Sequence, residues 1–121
     1  MQYRELGRTG WKVSTISIGT WAIGGAWGSV DDRESLAALN HALDLGVNFF
    51  DTADVYGWKQ GEGITEQIIG RWFAQGGGRR ARVVLATKLY NPMGDWPNQS
   101  RLSALHIRNA CDASLKRLQT D

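Results

Sequence analysis

The chain has 121 residues, 42% of them hydrophobic and 21% charged, a composition that fits one ordinary globular domain with one core. A net charge of +2 is too small to argue for nucleic acid, no run of 18 apolar residues argues for a membrane span, and the amino terminus lacks a signal-peptide pattern. A single cysteine, Cys111, excludes an internal disulfide, so the expected compartment is the cytoplasm.

In chain order, Tyr3 to Leu6 and Trp11 to Ser14 read as short strands around Gly7-Arg8-Thr9-Gly10, a hairpin turn that could lid one end of a larger sheet. Ile16 to Thr20 is a third short strand. The glycine-rich segment Trp21 to Gly28 follows it; its spacing is neither G-x-G-x-x-G nor a P-loop, which favours a flexible βα loop over a dinucleotide cradle. Asp31 or Asp32 can cap a first helix whose stripe is Leu36, Leu39 and Leu43, with Arg33 and Asp44 toward water and Gly46 as terminator. Val47 to Asp51 then reads as a buried strand. Ile64, Ile68, Ile69, Trp72 and Phe73 mark a second helix, closed by Gly76-Gly77-Gly78; Arg79 and Arg80 after it read as a solubilising turn. Arg82 to Lys88 is the next strand. A loop from Leu89 to Gln99 leads to a last helix, capped by Ser100 or Ser103, on whose apolar stripe Ile107, Ala110, Cys111, Ser114, Leu115 and Leu118 fall. Cys111 is therefore expected in the core and His106 outside it. Among six tryptophans, packing is expected for Trp11 and Trp72, whereas Trp21, Trp27, Trp58 and Trp96 lie where they could wall a flat apolar pocket.

The alternation of strand and helix implies a parallel sheet with right-handed crossovers, either doubly wound or the first part of a (β/α)8 barrel. In both, chemistry collects where strands end. The stretch Val47 to Gly57 carries this signature, because a buried apolar run breaks into Asp51, Thr52, Asp54 and Tyr56. The strand to Lys88 ends in a lysine. If the two strands are neighbours, about 4.8 Å apart, Lys88 reaches both Asp51 and Tyr56. An acid, a phenol and an amine at one sheet mouth point to proton transfer. The alternative, three unrelated strand-end residues, explains each singly and their joint placement poorly.

Asp51-Thr52-Ala53-Asp54-Val55-Tyr56-Gly57 together with Ala86-Thr87-Lys88 resembles the aldo-keto reductase family. Arg4-Glu5-Leu6-Gly7-Arg8-Thr9-Gly10, Ile18-Gly19-Thr20-Trp21 and Ser114-Leu115-Lys116-Arg117-Leu118-Gln119-Thr120-Asp121 are similar to further motifs of that family, in the family's order. The resemblance implies a (β/α)8 barrel that reduces aldehydes or ketones with NADPH, or with NADH. It implies Tyr56 as the proton donor, Lys88 as a cation beside that phenol, and Asp51 as the group that holds Lys88. Gly19, Thr20, Trp21 and Asp51 would lie near the cofactor, and Trp21, Trp27 and Trp58 would wall the substrate pocket. No metal site is expected. The family's catalytic histidine lies on a strand after the third helix, and neither His41 nor His106 can replace it from a helix.

Residues 1–121 thus read as a single, partial domain: three βα units behind a hairpin, where a barrel needs about eight units and ~250 residues. The isolated chain is expected to be inactive, with unpaired strand edges and with Phe49, Val84 and Ala86 facing water. Two other functions compete with an active reductase. One is a regulatory or binding subunit on the same scaffold, serving a channel or another partner. The other, a small dinucleotide-binding module, is disfavoured by the missing G-x-G-x-x-G.

Overall fold

A computed structural model of the chain describes residues 1–57 and 59–121. Strands β1 (Tyr3–Glu5) and β2 (Lys12–Ser14) form an antiparallel hairpin, with Arg4 opposite Val13. Strands β3 (Ile18–Gly19), β4 (Phe49–Asp51) and β5 (Val84–Ala86) form a parallel sheet in that order, with Gly19 beside Asp51 and Asp51 beside Ala86. Helices α1 (Asp32–Asp44), α2 (Ile64–Ala74) and α3 (Ala104–Leu118) alternate with these strands. Among the described residues the parallel strands run in sequence order, with no reversal of the kind that makes a topological switch point.

The three helices share one layer. Phe50 points into it and is fully buried among Leu39, Leu43, Ile68, Ile69 and Trp72, with the Phe50 and Trp72 rings 5.4 Å apart and nearly parallel. Phe49 and Asp51, one residue to either side, project to the opposite face and are half-buried, as the two-residue period of a strand requires. Val84 and Ala86 in β5 are half-buried as well. One face of the sheet is thus packed and the other open.

The hairpin seats against the end of the sheet opposite to Asp51. Asn48, just before β4, accepts from the Ser14 N–H at 2.7 Å and donates to the Lys12 carbonyl at 2.9 Å, and the Tyr3 hydroxyl donates to the Gly46 carbonyl. Gly46 follows α1 at φ +85°, a conformation that ends the helix and turns the chain into β4; a Cβ there would press on the Tyr3 hydroxyl. Asp31 is the cap of α1 and accepts from the Arg33 N–H, while Ser103 caps α3.

Several expectations need correction. Regular pairing stops at Ala86, two residues before Lys88, although Asp54 still donates its N–H to the Lys88 carbonyl and so extends the alignment of the two chains. Trp11 is 57% exposed on the hairpin, outside the core. Arg79 and Arg80 are more than a soluble turn: Arg79 bonds Asn40 and lies over Trp72, and Arg80 lies over Phe73 and bonds Thr120. Their planar cations close the aromatic end of α2. The largest correction is the rotation of α3. Its inward residues are His106, Ala110, Ser114 and Leu118, so His106 is buried and Cys111 exposed. The reason lies in what α3 packs against, the buried Glu66 carboxylate of α2, which Arg117 of α3 must meet.

Candidate active site

At the carboxyl end of the parallel sheet, Lys88 reaches across to β4. Its Nζ donates to Asp51 Oδ2 at 2.8 Å, to the Thr52 carbonyl at 2.7 Å and to the Tyr56 hydroxyl oxygen at 3.2 Å. An ammonium has three N–H bonds, and all three are engaged. The same nitrogen lies 4.8 Å from the centre of the Tyr56 ring. Partial burial works against the charge on Lys88, yet its hydrogen bonds to Asp51 and Tyr56, and the attraction of the same two groups, hold its pKa above the usual lysine value. Both partners of the Lys88–Asp51 pair are partly open to solvent, so the pair adds little to folding stability. Its consequence is geometric. Because the phenol oxygen already accepts from Lys88, the Tyr56 proton is free to point away, toward the open mouth.

The backbone that carries these groups is held from β3 and from α2. Thr20 is fully buried; its N–H and its hydroxyl both donate to the Asp51 carbonyl, at 3.0 and 2.9 Å. It holds the Asp51 backbone from the end of the neighbouring strand β3 and has no surface to offer a ligand. Gly19, by contrast, is exposed beside Asp51. Gly57 takes φ +114° directly after Tyr56, and a Cβ there would strike Ile64, so the loop can turn this tightly onto α2 only with glycine. The Tyr56 carbonyl then accepts from the Thr65 N–H.

Trp21 and Trp27, two of the residues expected to wall a pocket, lie beside the phenol. Trp21 stacks on Tyr56 with ring centroids 5.9 Å apart and planes 14° from parallel, and Trp27 leans on Trp21 at 5.7 Å. Both indoles are largely exposed, Trp27 at 71%. The two indole planes are 58° apart, so together they make an angled apolar surface at the edge of a charged, hydrogen-bonded centre. Trp58 lies outside the described residues, and Trp96 is exposed on the loop before α3.

Directly behind the Tyr56 loop is a buried polar cluster that sequence reasoning did not single out. Glu66, on the first turn of α2, is completely buried; one carboxylate oxygen accepts from Arg117 Nε at 2.7 Å and the other from the Thr87 hydroxyl at 2.6 Å. Arg117 also donates to the Ser114 hydroxyl. Asp54 and His106 are nearly fully buried, each with one side-chain atom that has no hydrogen-bond partner among the described residues. Burial pushes the Asp54 carboxyl above the ordinary carboxylate range and Glu66 adds to this, while Arg117, the Val55 N–H and His106 pull in the other direction. One signal was legible: Glu66 sits on the same helical stripe as Ile69 and Phe73, where an isolated carboxylate demands a buried partner.

Among the described residues, no helix is long and apolar enough to cross a membrane. The cofactor implied by the family resemblance fits what this chain exposes at the sheet mouth, namely a stacked aromatic wall, an open glycine at a strand end and a half-exposed carboxylate. These would face only one end of a dinucleotide.

Residues 15–121 match the model of the aldo/keto reductase family. An uncharacterized oxidoreductase YrpG of Bacillus subtilis is 50% identical over 125 residues, covering 100% of this chain and 37% of its own length. Aldo-keto reductase YhdN of the same organism is 39% identical, and a probable voltage-gated potassium channel subunit beta of Arabidopsis thaliana is 42% identical; each is matched over 100% of this chain and 35% of its own length. The chain thus spans about a third of the length of the curated relatives it matches. With residues 15–121 of its 121 matched by that family model, the chain belongs to the aldo/keto reductase family.

Proposed function

We propose that this chain supplies the proton-donor side of an NAD(P)H-dependent carbonyl reductase, in which its three parallel strands are part of a (β/α)8 barrel. The observation that carries the reading is the triple engagement of the Lys88 ammonium by Asp51, the Thr52 carbonyl and Tyr56.

An aldehyde or ketone carbonyl would lie over Tyr56, against the Trp21 and Trp27 wall. NADPH, or alternatively NADH, would supply hydride to the carbonyl carbon when bound near Gly19, Trp21 and Asp51. Tyr56 gives its proton to the carbonyl oxygen, which becomes the alcohol. The negative charge left on the phenol oxygen then faces an ammonium already 3.2 Å away. No group has to move to meet it, which is the advantage of a preorganised cation. Asp51 keeps Lys88 charged and aimed, and its backbone carbonyl is held by Thr20 from the neighbouring strand end.

The test is Tyr56→Phe in the complete polypeptide, assayed for aromatic aldehyde reduction and, separately, for NADPH binding by quenching of tryptophan fluorescence. Removing a general acid should lower turnover by about 10²–10⁴-fold while cofactor binding persists. Unchanged turnover would defeat the assignment.

A second reading has one specific observation behind it: a relative named as a probable potassium channel beta subunit matches the chain along its whole length. On that reading the scaffold is a regulatory or binding subunit. Turnover far too slow for metabolism, together with a stable complex with a channel protein, would favour it over the reductase.

A further inference from the structure

The first turn of α2 touches all three strand ends that carry the site. The Thr65 N–H donates to the Tyr56 carbonyl, the Thr65 hydroxyl donates to the Ile23 carbonyl at 2.6 Å, and Glu66 accepts from the Thr87 hydroxyl at 2.6 Å. Ile23 lies two residues after Trp21, and Thr87 immediately precedes Lys88. Glu66 is completely buried and is itself held by Arg117, whose backbone belongs to α3. Gly63 and Gly70 make this approach possible, since a Cβ at either would run into Arg117. The anchor is therefore rigid, and it is charged.

Adjacent side chains of an extended segment point to opposite sides. Thr87 reaches outward to α2 while Lys88 reaches back over the sheet to Asp51 and Tyr56. Pinning the Thr87 hydroxyl fixes the torsions of the peptide from which the lysine side chain departs. Backbone bonds also act here, from Thr52 N–H to the Ala86 carbonyl and from Asp54 N–H to the Lys88 carbonyl. These set the spacing of the strands, but leave the roll of the segment about its own axis to the side chains.

We propose that Glu66, held by Arg117, is a positioning residue that acts through the Thr87 hydroxyl to aim the Lys88 ammonium at Tyr56. The proposal rests on the reductase reading for its kinetic consequence, and on geometry alone for its chemical one.

The experiment compares Thr87→Val, which keeps the side-chain shape and loses the hydroxyl, with Thr87→Ser, which keeps the hydroxyl. Thr87→Ala replaces the valine variant should that fail to fold. Each is made in the complete polypeptide and read in two ways: kcat and KM for NADPH-dependent reduction of 4-nitrobenzaldehyde, and the rate at which an amine-reactive acetylating reagent labels Lys88, followed by mass spectrometry. The valine variant should lose kcat by about threefold to tenfold, the rate equivalent of one hydrogen bond, with KM within about twofold, and the serine variant should restore it. Lys88 labelling should be faster in the valine variant alone. Wild-type protein without turnover would defeat the reductase reading but not this inference, which the labelling rates then decide. Equal labelling in all variants, or a serine variant as impaired as the valine one, overturns it.

Discussion

Arg117→Met removes the guanidinium from Glu66 and leaves a carboxylate stranded in the interior. Breaking a buried ion pair in this way costs about 3–5 kcal/mol, because the remaining charge has lost water and gained nothing in return. Here Glu66 is 0% exposed, which places the site in that class. Two features bring the expected loss to the lower end, about 3 kcal/mol. The Thr87 hydroxyl still donates to one oxygen, and the Arg117 side chain is 16% exposed, so water can enter the space it vacates. Changing both partners, Glu66→Leu with Arg117→Met, removes the stranded charge and should recover most of the loss, since apolar replacements of similar volume often match a buried pair. The assay is urea unfolding of the complete polypeptide at neutral pH, with stability taken from the midpoint at constant slope. A single-variant loss below about 1 kcal/mol, or a double variant no more stable than the single, would refute the claim that this carboxylate depends on its partner.

Three further outcomes follow from the same structure. Asp54 has a folded-state pKa above its unfolded value of 3.8, so the folded chain holds a proton that the unfolded one has lost; stability falls as pH rises through that window and stays lower at neutral pH. Asp54→Asn should therefore raise stability at pH 7 and flatten the fall, and a destabilised variant at pH 7 would contradict the burial argument. Gly70→Ala gains up to ~1 kcal/mol of helix propensity, but its Cβ meets the Arg117 carbonyl of α3. A net loss of about 1–3 kcal/mol in thermal or urea unfolding is expected, and a stabilised variant would show that the two helices can separate without cost. Trp21→Ala deletes the ring stacked on Tyr56 and should raise KM for an aromatic aldehyde about threefold to tenfold, the equivalent of one aromatic pair; an unchanged KM would remove Trp21 from the pocket.

The helix α3 shows where reading by hydropathy fails. Ile107 and Cys111 look like the core stripe, yet Ile107 is 42% exposed and the inward face carries His106 and Ser114. A helix rotates to bury whatever its neighbour requires, and this neighbour presents Glu66, whose burial demands the Arg117 guanidinium, itself bonded to Ser114. That requirement cannot be seen from α3 alone. Trp11 failed for a related reason: it sits on a hairpin that contacts the sheet through Tyr3, Ser14 and Lys12, so its indole has no core to enter.

By itself the sequence determined the order of strands and helices, because each element buries one face and its period announces which kind it is. It also determined the joining of Asp51, Tyr56 and Lys88, because consecutive parallel strands end at the same side and the polar residues begin where the apolar runs stop. Tertiary structure alone decided that all three Lys88 donors are occupied, that the buried Thr20 holds the Asp51 carbonyl from the next strand, and that Glu66 and Arg117 brace the site from behind. Those outcomes depend on which helix face turns inward and on approaches of a few ångströms between segments as many as 51 residues apart, distances that no local pattern encodes.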